Sequence, residues 1–220
     1  MTIKVLNLYA CLGGNRLHWN HVYNNIEVTA VENDKELAKL YKERFVNDTV
    51  IIADAHEYLL NNYKNFDFIW SSPPCPSHSR AAHGARKSEN SNHKPIYPDL
   101  KLYEEIIFLE NYFKGKYCVE NVIPYYTPLI PAQKRHRHLY WSNFKIPTVL
   151  SKRTAPNMEN AGALNEWCKF HQFDFFKYQG KQRKDKIARN LVDFEAGRTI
   201  FETFININQK KTEQIGLFNF

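Results

Sequence analysis

The sequence predicts an α/β protein with a parallel sheet and helices on both faces. Three observations carry that prediction. Short β-rich runs alternate with amphipathic runs through residues 1–140. A glycine pair, Gly13–Gly14, directly follows the first β-rich run. The later runs end in residues that carry chemistry (Glu32, Asp54, Cys75, Glu120) rather than in neutral turn residues, and ligands of such sheets sit at the carboxyl ends of the strands.

The elements follow in order. Ile3 to Tyr9 reads as a first strand, and Glu27 to Val31 as a second. Asp34 to Arg44 reads as a helix with Leu37, Leu40 and Tyr41 on one face. Val50 to Ala53 is a third strand, Ala55 to Asn62 a short helix, and Phe66 to Trp70 a fourth strand closed by Ser71-Ser72-Pro73-Pro74. Leu100 to Lys114 is a helix with Tyr103, Ile106, Ile107 and Phe113 at helical spacing. Tyr117 to Val119 and Leu139 to Trp141 complete the strands. Ser77 to Pro98 is polar and aperiodic, and a loop of that length in a compact domain points to function or disorder. The expected organisation is a catalytic and cofactor-binding domain at 1–144, a small inserted lobe at 145–186, a return to the main domain at 187–207 with a helix from about Phe194 to Phe204, and a tail at 208–220.

Composition narrows the class. With 220 residues, 43% hydrophobic and 15% aromatic, the chain has enough apolar material for a full core. It has no apolar run of about 18 residues for a membrane span and no secretory layout at Met1 to Ala10, so a cytoplasmic protein is expected. The net charge of +7 fits a polyanion partner but is weak evidence alone. Cys11, Cys75, Cys118 and Cys168 form no CxxC pair, so free thiols and no metal site are expected.

Chemistry concentrates at the strand ends. Glycines after a first strand allow close approach of a cofactor. Glu32 could bind ribose hydroxyls and Asp54 an adenine amino group. Singly, each is as well explained by a tight turn or a solvated strand end; together they favour a nucleoside. Cys75, between prolines at the end of the fourth strand, is a candidate nucleophile, against the plainer reading of an inert half-buried thiol. Glu120, partly desolvated, could donate a proton to a ring nitrogen, or simply cap a helix. Asn121 could orient the turn at Pro124 and nothing more. Arg135 and Arg137, two apart on a strand, would point the same way toward a phosphate or an electron-rich atom, or form a solvated edge.

The ordered set of glycine turn, Glu32, Asp54, Pro74–Cys75, Glu120-Asn121-Val122 and Gln133 to Arg137 resembles the DNA (cytosine-5) methyltransferases. The resemblance covers residues 3–75 and 117–143, and extends to Ala188–Phe204, where Asn190 is similar to the family's late motif. It implies a Rossmann-like S-adenosylmethionine-dependent methyltransferase sheet with a small target-recognition lobe. It also implies methyl transfer from S-adenosylmethionine to C5 of a flipped-out cytosine in double-stranded DNA, through a covalent Cys75–C6 intermediate. Tyr9, Ala10, Cys11, Leu12, Gly13, Gly14, Glu32, Asn33, Asp54, Ala55, Pro73 and Asn190 would then bind the cofactor. Glu120, Arg135 and Arg137 would hold the base. Ser77, Arg80, Arg86, Lys87 and Asn121 would contact DNA. Cys11 stands where the family usually has its first glycine, and the penultimate motif is not recognisable. The short lobe suggests a compact, bacteriophage-type monomer with relaxed specificity. Ser-Pro-Pro-Cys lacks the terminal aromatic of adenine methyltransferases. A tRNA substrate and a non-catalytic nucleic-acid-binding relative are the alternatives. In the tail, Gln214, Leu217 and Phe218 resemble the peptide with which bacterial replication proteins enter the sliding clamp, here expected on an accessible linker.

Overall fold

The computed structural model describes residues 1–88, 92–157 and 163–217. Seven strands form one sheet: β1 (Ile3–Leu8), β2 (Ile26–Val31), β3 (Thr49–Ile51), β4 (Phe68–Ser71), β5 (Lys116–Val122), β6 (Gln133–Arg135) and β7 (His138–Ser142). The helices are α1 (Trp19–Val22), α2 (Lys35–Arg44), α3 (Ala55–Asn62), α4 (Arg80–Lys87), α5 (Lys101–Tyr112), α6 (Ala163–His171), α7 (Lys184–Asn190) and α8 (Phe194–Leu217).

Strand order is β3-β2-β1-β4-β5-β7-β6. The first five are parallel, while β7 runs antiparallel to β5 and β6 antiparallel to β7. The sheet is therefore mixed rather than wholly parallel, which corrects the expectation. No helix intervenes between β5 and β7, and parallel neighbours need a crossover of a dozen or more residues. The five parallel strands with helices on both faces make a Rossmann-like sheet.

Alternation along β1 decides which face each side chain serves. Ile3 and Val5 join Trp19, Phe68, Trp70, Phe201 and Phe204 on one face. Leu6 and Leu8 join Leu59, Ile106 and Leu109 on the other. On α5 the buried stripe is Leu102, Tyr103, Ile106 and Leu109; Ile107, expected on that face, is 55% exposed. It lies one residue, about 100°, off the stripe. Asp34 and Asp54 cap α2 and α3 by accepting backbone N–H groups of the first turn.

Residues of the inserted segment share a core with the main domain. Trp167, Phe175 and Tyr178 pack with Leu12, Leu37 and Leu40 and with Ile187, Ala188 and Leu191. Helix α7 spans the expected boundary at 186 without a break. The Arg153 guanidinium lies 3.8 Å from the ring centres of both Phe170 and Phe194 and pairs with Asp193. It thus ties the segment to the start of α8. Two expected loops are helical. Helix α4, capped by Ser79, occupies part of the polar stretch 77–98. Helix α8 runs on through Leu217, so Gln214 and Leu217 belong to a helix rather than to an extended linker; Phe218 lies outside the described residues.

The turn after β1 is clamped by the end of the chain. A Cβ on Gly14 would sit 2.2 Å from the Val192 carbonyl oxygen, and one on Gly197 2.2 Å from the Asn15 carbonyl oxygen. Gly14→Ala is expected to destabilise the fold by about 1–3 kcal/mol through overpacking, read by urea unfolding.

Buried His171 stacks on Trp167 and donates from Nε2 to the Ala188 carbonyl at 3.0 Å. Burial lowers its pKa to about 4, and the Ala188 carbonyl only partly offsets that effect. The unfolded chain's imidazole titrates near 6.5, so between the two values the unfolded state binds the extra proton. Stability is complete above about pH 6.5 and declines as pH falls toward 4. His171→Gln should remove roughly 2–3 kcal/mol of this acid sensitivity, measured as the difference in unfolding free energy between pH 7 and pH 4.5.

Candidate active site

Two adjoining clefts open at the carboxyl ends of the parallel strands. The first, about 220 Å³, is lined by Asn7, Tyr9, Ala10, Cys11 and Gly14 from β1 and its turn, by Pro73, Pro74 and Cys75, and by Glu120 and Asn121; His138, Lys186, Arg189 and Asn190 complete it. The second, about 300 Å³, lies between Glu120, Arg137 and His138 on one side and Arg153, Trp167 and Phe170 of the inserted segment on the other. Glu120, His138, Arg189 and Asn190 line both, so the clefts meet at Glu120.

The loop after β4 is held by the strand beside it. Asn121 is buried and donates from Nδ2 to the Pro73 carbonyl at 2.9 Å. Its Oδ1 accepts from Val122 N at 2.9 Å. With both amide atoms occupied inside the protein, Asn121 positions the Pro-Pro-Cys turn and does not reach out as a nucleic-acid contact. That turn places half-buried Cys75 in the cleft with Glu120. Burial, then the Glu120 carboxylate, push the Cys75 thiol above its usual value, while a backbone hydrogen bond and, after it, Lys186 act in the opposite sense. Glu120 itself is buried, with His138 Nε2 at 3.5 Å from its Oε1.

Five expected cationic contacts divide by what they touch. Arg135 donates to three backbone carbonyls, Pro147 at 2.5 Å, Lys134 at 2.8 Å and Ile146 at 2.8 Å. It fastens the segment after β7 and also lines the second cleft. Arg137 does not share its strand: β6 ends at Arg135, and His136, with φ of 48°, turns the chain before β7. Arg137 is exposed and lines the second cleft. Arg80 donates to the Pro124 carbonyl and Arg86 to the Pro76 carbonyl. Both bind the loop to the protein, as does Ser77, whose Oγ accepts from Asp99 N. All three anchor the loop, and Lys87 is exposed.

The nucleoside end of the first cleft is built from the turn after β1. Tyr9 and Cys11 adopt φ of 54° and 47°, a left-handed backbone that favours glycine. That explains why glycine is expected at position 11. Glu32 secures the turn, its oxygens accepting from Cys11 N at 2.8 Å and Asp34 N at 2.9 Å. Each oxygen keeps a second lone pair for a hydroxyl. Asn33, Asp54 and Pro73 line a neighbouring hollow with Tyr9. Leu12 and Ala55 are buried among apolar side chains, and Gly13 faces Phe45 and Tyr41. These three support the turn from behind. Gly13 therefore serves packing within the protein, while Gly14 also lines the cleft.

Beneath the turn lies a network that sequence reading missed. The Glu105 carboxylate is buried and accepts from Tyr9 Oη at 2.5 Å and Ser71 Oγ at 2.7 Å, with His56 Nδ1 at 3.2 Å. It fixes the ends of β1 and β4 and the start of α3. Asn7, also missed, is buried; its Oδ1 accepts from Asn15 at 2.8 Å, while Nδ2 is unpartnered and borders the cleft. A buried amide donor without an acceptor is costly, and a polar ligand in this cleft would supply one. The donor and acceptor set therefore fits S-adenosylmethionine, an amino acid joined to a nucleoside.

Among solved structures, the chain is similar to DNMT2 of Spodoptera frugiperda at 21% identity over 55% of this chain and 36% of that one, TM-score 0.39. It is also similar to a putative DNA modification methyltransferase encoded within an Escherichia coli prophage, at 19% identity over 56% and 33%, TM-score 0.37. The putative Escherichia coli methyltransferase yhhF is similar at 15% identity over 64% and 74%, TM-score 0.41. The chain spans about a third of the length of the first two. No curated protein matches it. A sequence profile described as C-5 cytosine-specific DNA methylase matches residues 3–122, more than half of the chain. On that match the chain belongs to the C-5 cytosine-specific DNA methylase family, whose cofactor is S-adenosylmethionine.

Proposed function

We propose that this protein methylates C5 of cytosine in DNA through a covalent Cys75–C6 adduct. The observation that carries the reading is the meeting of Cys75 and Glu120 in one cleft, continuous with the turn that fits the cofactor. S-adenosylmethionine supplies an electrophilic methyl group on a sulfonium. Tyr9, Ala10, Cys11, Gly14, Glu32, Asn33, Asp54, Pro73 and Asn190 would hold it, with the Asn7 amide as a further donor.

Cytosine C5 is a poor nucleophile until C6 carries a thiolate. The Cys75 thiol loses its proton to water, and its sulfur forms the bond to C6, moving an electron pair toward C5. Glu120, as the acid, donates its proton to N3 and accepts from the exocyclic amine, so charge does not accumulate on the ring. After C5 has gained its methyl group it gives up its proton to water, and N3 returns its proton to Glu120. The C6–sulfur bond then breaks and returns Cys75 as thiolate. Arg137, exposed at the second cleft, is the cation placed to meet the base or its phosphate. C6 is inaccessible inside a stacked duplex, so the base must be extruded. The second cleft, bordered by Arg153, Trp167 and Phe170, is where the flanking strand would lie. Lys87 on α4 would add a phosphate contact.

Transfer of labelled methyl to duplex DNA and to tRNA separates the substrates, and bisulfite sequencing of DNA from expressing cells locates the product. Incorporation into duplex DNA is expected; incorporation into tRNA alone would make the protein an RNA enzyme. Cys75→Ser should lower turnover at least 10³-fold while cofactor affinity changes little. Unchanged turnover would remove the covalent mechanism, and no turnover on either substrate would favour a binding protein. Asn121→Ala, which releases the Pro-Pro-Cys turn, should lower kcat about 10–100-fold with a smaller change in cofactor Kd, measured by single-turnover kinetics and calorimetry.

A further inference from the structure

We propose that Lys186 is the positioning cation that stabilises the Cys75 thiolate, from the far wall of the cleft. The inference rests on Cys75 being the nucleophile and adds the group that prepares it. Lys186 lines the same cleft as Cys75 and Glu120. It stands three and four residues before Arg189 and Asn190, which also line that cleft, so all three share one face of α7. The opposite face of the helix, Ile187 and Ala188, is buried.

The helix cannot drift from this place. Leu191 Cγ lies 2.7 Å from the site of a Gly14 Cβ, which presses the end of α7 against the turn after β1. The Ala188 carbonyl accepts from His171, and Asp193 just beyond is held by Arg153. Neighbouring cations of the segment are committed elsewhere. Arg183 and Arg189 both pair with Asp185, and Lys184 donates to the Phe176 carbonyl. Among the described residues Lys186 has no carboxylate partner, and it lines the cleft.

The thiol needs such a neighbour. Cys75 faces Glu120 from β5, His138 from β7, Tyr9 and Cys11 from the turn after β1, and Lys186 and Arg189 from α7. Burial and the Glu120 carboxylate both resist loss of the thiol proton, and Lys186 is the cation that opposes them. When the proton leaves to water, the sulfur's negative charge is balanced by the ammonium across the cleft. Because Lys186 is exposed, this attraction should be screened by salt.

The test is alkylation of Cys75 by iodoacetamide, a neutral reagent, in the full-length protein without cofactor or DNA. The rate is followed from pH 6 to 10 by mass spectrometry of the Cys75 peptide, with the Cys168 peptide as internal reference. Lys186→Met should lower the Cys75 rate at pH 7 about two- to fivefold and move the profile to higher pH. Lys186→Arg should keep the wild-type profile, and Glu120→Gln should raise the rate. Going from 0.05 to 1 M salt should slow alkylation in the wild type but not in Lys186→Met. Identical profiles for wild type and Lys186→Met, or an equal salt response in both, would overturn the assignment. The readout does not involve methyl transfer, so a protein inactive on every nucleic acid could still show the shift. An active enzyme without the shift would lose only the role of Lys186.

Discussion

The site depends on one hydrogen bond, from the Asn121 side chain to the Pro73 carbonyl. It joins the ends of two adjacent parallel strands, and each of those ends carries one reactive group. Proline cannot donate to a ladder, so Pro73 and Pro74 offer no N–H to β5, and the next backbone tie on that side is Tyr125 N to the His78 carbonyl. The Asn121 amide bridges that gap. It holds the Cys75 loop against β5 at the point where Glu120 enters the cleft. A buried amide in this place is worth more than its own hydrogen bond, because its loss leaves a carbonyl unpaired and a nucleophile unplaced.

A second constraint closes the cleft from the other side. The chain returns after the inserted segment and lays Leu191, Val192 and Gly197 on the turn after β1, at distances that only glycine at 14 and 197 allows. Trp19 adds a hydrogen bond to the Gly197 carbonyl. Residues from both ends of the sequence thus form one wall, and Asn190, Arg189 and Lys186 face the cleft because that contact is tight. The inserted segment then builds its core on α2 and α7, which sets the width of the second cleft.

Much of this was readable from the residues in order. The five parallel strands stood out because a buried strand must be β-rich and apolar, and the reactive ends stood out because turns seldom need cysteine or glutamate there. Strand β6, three residues of Gln-Lys-Arg, has no such signal; pairing with β7 alone makes it a strand. The arginines were the least readable. Arg80, Arg86 and Arg135 look like phosphate contacts in the sequence, yet each long side chain turns back to a backbone carbonyl. The same donor set serves either partner, and only the distance along the fold decides. Glu105 was hidden as an ordinary polar residue of an amphipathic helix, although it is 1% exposed. Its position among the buried stripe of α5, between Leu102 and Ile106, was the available clue. Lys186 was hidden in a run of charges, and its spacing from Asn190 was the sign that it faces the same way.

The central claim is that sulfur 75 and carboxyl 120 act on one extruded pyrimidine. Incubation with duplex DNA containing 5-fluorocytosine and S-adenosylmethionine tests it most directly, because fluorine at C5 cannot leave as a proton does and the adduct persists. The account expects a denaturation-resistant protein–DNA species whose cross-linked peptide contains Cys75, strongly diminished in Glu120→Gln. A cross-link at another cysteine, or none on either DNA or RNA while methyl transfer proceeds, would contradict it.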